Sequence, residues 1–119
     1  MKIKKYDIIT SKLNIFNFPE CKEKRFVLIG FNSTIDILSP NENEQKVILT
    51  YTVKSNDLPL HVMWECRINL TFDESLENKI TEEEFLTYSD VISKIDAQIQ
   101  SISDLVKMDL PLFSNQLGD

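Results

Sequence analysis

The side chains able to do chemistry are few, and their spacing works against it. His61 is the sole histidine, and in an extended chain it shares a side with Met63, Glu65 and Arg67. Four residues of strand put Glu65 about 13 Å from His61, beyond direct acid–base coupling. One histidine and two distant cysteines, Cys21 and Cys66, fall short of a zinc ligand set. The acidic runs "NENE" (41–44) and "TEEE" (81–84) lack the calcium-loop pattern and read as a turn and a helix start. No serine sits in a nucleophile-elbow context, and its base would have to be His61. With two glycines in the chain, a glycine-lined phosphate cradle is excluded. The expectation is a protein that is not an enzyme and uses no metal or cofactor.

What remains is surface and shape. The chain has 119 residues, 42% apolar and 27% charged, which suits one globular domain over 1–119 with a core that needs no staples. A net charge of −6 opposes nucleic acid, whose recognition rests on neutralising phosphates. No apolar run approaches the roughly 20 residues of a membrane helix, and the N-terminus lacks the apolar stretch of a secretory signal. The expectation is a soluble cytoplasmic protein with reduced thiols, Cys66 buried as a small hydrophobe and Cys21 exposed.

The clearest element is "LHVMWECRINLTF" (60–72), where Leu60, Val62, Trp64, Cys66, Ile68, Leu70 and Phe72 alternate with a half-polar set. Three further strands precede it. "YDIITSKLNIFNF" alternates imperfectly, "FVLIGFNSTIDIL" places Val27, Ile29, Phe31, Ile35 and Ile37 on one side, and "KVILTYTVK" places Val47, Leu49, Tyr51 and Val53 together. The short turns "SPNENEQ" and "SNDLP" predict an antiparallel meander of the second, third and fourth strands. After Phe72 the period changes. Thr81 and Glu84 form a capping box, and Phe85, Tyr88, Ile92, Ile95, Ile99, Ile102 and Val106 recur every three or four residues. That predicts one helix of about 27 residues, roughly 40 Å, ending before Pro111. The fold expectation is α+β: a four-stranded antiparallel sheet packed by one long C-terminal helix in two layers. Trp64, Ile68, Leu70, Ile92, Ile95, Ile99 and Ile102 form its core or interface. Leu86, Val91, Ala97, Leu105 and Met108 widen the helix stripe beyond what one sheet covers, which points to a second helix or subunit and a homo-oligomer. Met63, Ile48 and His61, on the sheet side away from the helix, are the candidate protein-binding residues.

The order of elements resembles the SecB export-chaperone family. "KVILTYTVK" and "LHVMWECRINLTF", with its "WEC" register, look like that family's third and fourth strands. "VISKIDAQIQSISDLVKMDLPLF" looks like its helix, with "ISDLV" followed by "LPLF" as the specific part. The resemblance implies a SecB-like sandwich and a non-enzymatic holdase for unfolded polypeptide. It also implies assembly as a dimer or dimer of dimers, with clients held in apolar grooves and along strand edges. The acidic net charge would suit basic client segments. The chain departs from the family in "NLTFDESLENK", which stands where a glycine region is expected, and in stopping at "SNQLGD" without the tail that recruits the translocation motor. These departures make a different partner, such as a toxin–antitoxin pair, compatible with the same fold. Two alternatives stand beside the chaperone reading. One is an oligomeric adaptor or structural protein without clients. The other is an apolar-ligand carrier lined by Phe16, Phe18, Phe31, Tyr51 and Trp64.

Overall fold

A computed structural model describes residues 2–16, 28–55, 61–107 and 109–117. Cys21, Phe18 and Pro19, and the side chains of Phe16, Phe31, Leu60 and Met108, lie outside the described residues. Four strands, β1 (Ile3–Phe16), β2 (Leu28–Ile37), β3 (Glu44–Ser55) and β4 (His61–Phe72), form one antiparallel sheet in the order β1-β4-β3-β2. The meander of β2, β3 and β4 follows from their short turns. β1 closes the far side by pairing with β4, which makes β4 and β3 interior strands and leaves β1 and β2 at the edges.

The alternation of β4 is carried through to burial. Val62, Trp64, Cys66, Ile68, Leu70 and Phe72 are buried, while Arg67 is exposed and the rest of the reverse side is half-buried. β3 does the same with Gln45, Val47, Leu49, Tyr51 and Val53. Register pairs Leu49 with Cys66, Tyr51 with Trp64 and Val53 with Val62, so the two interior strands make one apolar plate.

The single long helix predicted from periodicity is two helices. α1 spans Glu82–Phe85 and α2 spans Ser89–Val106, an 18-residue element of about 27 Å. Thr81 caps α1 as expected, its hydroxyl accepting from the Glu84 N–H at 3.1 Å. The break follows from residues 84–89. The Thr87 hydroxyl donates to the Glu84 carbonyl at 2.6 Å, and the Thr87 and Tyr88 N–H groups bond back three residues rather than four. Such a tightened turn also repeats every three residues, so Phe85, Tyr88 and Ile92 keep their spacing across it. Periodicity alone does not register the interruption. The Tyr88 ring then lies 6.1 Å from that of Phe72, closing the end of the core.

A helix of 27 Å cannot cover a strand of about 40 Å. The difference is made up by Ile80 and Phe85 before α2 and by Leu110 and Phe113 after it, all buried with the Ile92, Ile95, Ile99, Ile102 and Val106 stripe. Val91, placed beside that stripe by the sequence pattern, is fully buried, whereas Ala97 and Leu105 are exposed. Lys107 ends α2 in the left-handed region (φ 56°), its N–H donating to the Ser103 carbonyl. The tail then folds back along the helix. Its Leu110 N–H donates to Ser103 Oγ at 3.1 Å and its Ser114 N–H to Asp96 Oδ1 at 3.1 Å. The Tyr51 hydroxyl donates to the Pro111 carbonyl at 2.6 Å. These bonds explain the buried Ser103 and place the tail on the β3 side of α2.

Gln45 is the other buried polar residue. Its Nε2 lies 2.6 Å from the Leu38 carbonyl and 3.1 Å from that of Lys46, and its Oε1 accepts from the Ile80 N–H at 3.1 Å. One amide thus ties the end of β2, the start of β3 and the approach to α1, leaving no donor or acceptor stranded. Among the described residues, no helix is long and apolar enough to cross a membrane.

Candidate functional site

β1 behaves unlike its neighbours. Its register against β4 slips at Ile3/Lys5 and again at Thr10/Lys12, one extra residue each time. Between the slips Tyr6, Ile8 and Thr10 stand over Leu70, Ile68 and Cys66, on the helix side. After the second slip Leu13 and Ile15 return to that side, opposite Trp64 and Val62. The bulged Ser11 is held down by β4: its hydroxyl lies 3.2 Å from the Glu65 carbonyl and 3.1 Å from Glu65 Oε2. These slips are why the first strand alternates imperfectly in sequence while keeping its apolar residues in phase with the sheet.

Phase does not bring burial. Tyr6 and Ile8 are half-buried, Thr10 is exposed, and Leu13 keeps 39% of its surface despite facing the helix layer. The cause is position. β1 is an edge strand: α2 meets it near its start, where Tyr6 reaches Asp90, while Thr10 and Leu13 farther along it stay exposed. Leu105, 63% exposed, sits on the α2 flank opposite the tail-bonded Asp96 and Ser103, the flank nearer β1. On the reverse side of the sheet, Ile9 is 53% exposed and pairs with Arg67, which pairs in turn with Ile48. Ile9, Arg67 and Ile48 thus form one row running inward from the edge.

His61, Met63 and Ile48 occupy the reverse side, all half-buried, but they are not one patch. His61 pairs with Phe16 and Lys54, Met63 with Asn14 and Thr52, and Ile48 with Arg67. Met63 and the Ile48 row are four strand residues apart, about 13 Å. The surroundings of Met63 are polar, and it is Ile9, not read from the sequence as functional, that extends the Ile48 row to the edge. The signal was there: Ile8 and Ile9 are adjacent, so in a strand one of them must leave the core.

At the start of β1 a cavity of about 530 Å³ lies against α2. It is lined by Lys2–Tyr6 and Thr87–Val91. The Tyr6 hydroxyl reaches the Asp90 carbonyl at 3.4 Å, bracing the strand against the first turn of the helix. Tyr88 borders the cavity, and its phenol is pushed up to about 12, first by burial and then by the neighbouring Glu84 carboxylate.

Two groups that could act chemically are shut away by burial. The Cys66 thiol is fully buried between Thr10 and Leu49 in register, and burial, with Glu65 adding to it, pushes it up to about 12. Such a thiol is no nucleophile near neutral pH. Tyr51 is likewise raised above its usual value, by burial first and then by Asp96, which suits its role as donor to the tail. The Trp64 indole N–H donates to Thr10 Oγ1 at 2.9 Å, pinning β1 to β4. Among the described residues, no three His, Cys, Asp or Glu side chains come together as a metal site. Comparison with protein-family models finds no match, and comparison with curated proteins finds none either.

Proposed function

We propose that this chain is a non-enzymatic polypeptide-binding module of the SecB-like chaperone type, and that it takes extended polypeptide along the β1 edge. The observation that carries the reading is Ile9, more than half exposed on an edge strand of 14 residues. An edge strand presents main-chain donors and acceptors to any strand laid beside it. Those bonds are indifferent to side chains, which suits a binder of unfolded chains, while Ile9 and Leu13 supply apolar contact on the two faces. The row from Ile9 through Arg67 to Ile48 lets a bound side chain continue onto the reverse face.

Assembly into a dimer or dimer of dimers belongs to the same reading. Its support is the outer face of α2, where Ala97, Gln98, Ser101 and Leu105 are exposed and short or neutral side chains prevail. Small and apolar residues there allow close approach of a second copy, with Lys94 and Asp104 of the same face able to pair across a two-fold axis. An adaptor without clients would share this surface but has no use for an exposed Ile9.

Light scattering of several chemically denatured client proteins, diluted with and without the protein, tests the function. Suppression of aggregation at stoichiometric amounts, weakened by Ile9→Asp, is the expected result; no suppression for any client contradicts it. Sedimentation equilibrium tests the assembly, with a strict monomer as the contrary outcome.

A further inference from the structure

The β1 edge is charged in the opposite sense to the protein. Residues 2–16 hold Lys2, Lys4, Lys5 and Lys12 against Asp7 alone, a net +3 in a chain of −6. All five are exposed. At an ionic strength of about 0.15 M, charges screen one another beyond about 8 Å, so a strand laid on β1 responds to the nearest groups rather than to the whole molecule. Across the ladder, Lys5 stands beside Thr71, Asp7 beside Asn69, Ile9 beside Arg67 and Lys12 beside Glu65. Arg67 adds to the positive edge. Glu65 offsets Lys12, although it also holds Ser11, and Asp90 is the acid among the cavity-lining residues.

We propose that the β1 edge selects extended segments that are acidic on one side and apolar on the other. The inference rests on the polypeptide-binding reading above and names the partner class. Like charges directly opposite in a strand pair repel and opposite charges attract, so the β1 lysines disfavour lysine-bearing strands and favour acidic ones. The register gives the pattern. On the reverse face, the successive positions of β1 are Lys5, Asp7, Ile9 and Lys12, Ser11 being the bulged extra residue. A matching strand carries acids beside Lys5 and Lys12, with an apolar residue beside Ile9. On the helix side it meets Tyr6, Ile8, Thr10 and Leu13, and there wants apolar side chains throughout. Lys5, with no acid beside it in the ladder, contributes more to the selection than Lys12. This reverses the expectation from net charge alone, under which basic segments would be preferred.

The test uses fluorescein-labelled peptides long enough to span β1, apolar on one face. Their opposite face carries Glu, Gln or Lys at two positions matched to Lys5 and Lys12, with valine between. Anisotropy titrations with the full chain at low salt should show the Glu peptide binding roughly tenfold more tightly than the Lys peptide, with Gln between. The gap should close as salt rises to about 1 M. Lys5→Glu combined with Lys12→Glu should invert the order, and Lys5→Gln with Lys12→Gln should erase it; circular dichroism confirms that each variant folds. Three peptides that bind alike, or an order the variants do not move, overturn the charge selection and leave polypeptide binding standing. If none of the three binds, the β1-edge reading fails and takes this inference with it.

Discussion

β4 and β1 lie side by side, hydrogen-bonded along their length, and both alternate apolar with polar residues. In β4 the alternation means a core: six of its side chains are closed off by α2, α1 and the tail. In β1 the same device leaves Leu13 and Ile9 open on opposite faces. The contrast shows that a period of two fixes only which side a residue faces. Whether that side is covered depends on how far the second layer reaches: α2 meets β1 near Tyr6 but leaves Leu13, farther along the strand, 39% exposed. Of the two edge strands, β1 is the longer and the one with a local positive charge, which is why the proposed function is assigned there.

The largest expected difference between the two strands comes from one aspartate placed in each. Ile68→Asp buries an unpaired charge in the apolar plate, costing several kcal/mol, a large part of the stability of a domain this size. It should unfold the protein by circular dichroism, as should Ile95→Asp. Ile9→Asp should shift the urea midpoint little, within about 0.5 kcal/mol, and act on polypeptide binding instead. If Ile9→Asp also unfolds the chain, β1 is not the open strand described. Met63→Asp should likewise leave the fold intact, and the binding isotherm will show whether the reverse face away from Ile9 takes part.

A sharper version concerns a residue on the margin. Thr10 is exposed, yet its hydroxyl is the acceptor for the buried Trp64 indole N–H. Thr10→Val should therefore cost about 1–2 kcal/mol in urea titration, more than a surface threonine normally would, with a change in Trp64 fluorescence. An effect within error would show that the two strands are coupled through the ladder alone.

Alkaline pH separates the regions in another way. The Cys66 thiol goes from the usual 9.0 to about 12 on folding, and Tyr88 from 10.0 to about 12, with Tyr51 also raised. All three are neutral when protonated, and their folded values lie above their unfolded ones. Their contribution is complete below the unfolded values and is lost as pH rises from about 9 toward 12. Stability measured by urea should be insensitive to these groups between pH 6 and about 8.5 and fall above 9. In the same range below 9, Cys66 should resist alkylation unless the chain is denatured. Smallest in size, Lys107→Gly relieves a left-handed residue at the end of α2 and should stabilise by about 0.5–1 kcal/mol.

The interior strands were the most legible part of the sequence. Trp64, Ile68, Leu70 and the isoleucines of α2 announce themselves by spacing, and the meander follows from two short turns. Two features escaped. The break at Leu86–Tyr88 is hidden because a tight turn preserves the three-residue spacing of Phe85, Tyr88 and Ile92. The bulges of β1 blur its alternation, so that the exposure of Ile9 and Leu13 is not legible from the pattern. Of the three candidate residues, Ile48 shares the row of Ile9 and Arg67, while His61 and Met63 lie along the strand from it. A net value of −6 likewise conceals a segment of +3 over residues 2–16.

Amide hydrogen exchange of the protein, alone and with a saturating permanently unfolded acidic polypeptide, bears most directly on the claim that β1 is the working edge. Alternate amides of β1 should gain protection, those facing away from β4, while β3, β4 and α2 stay as they were. Protection that appears on β2 or α2 instead, or no change anywhere in the presence of bound polypeptide, would contradict it.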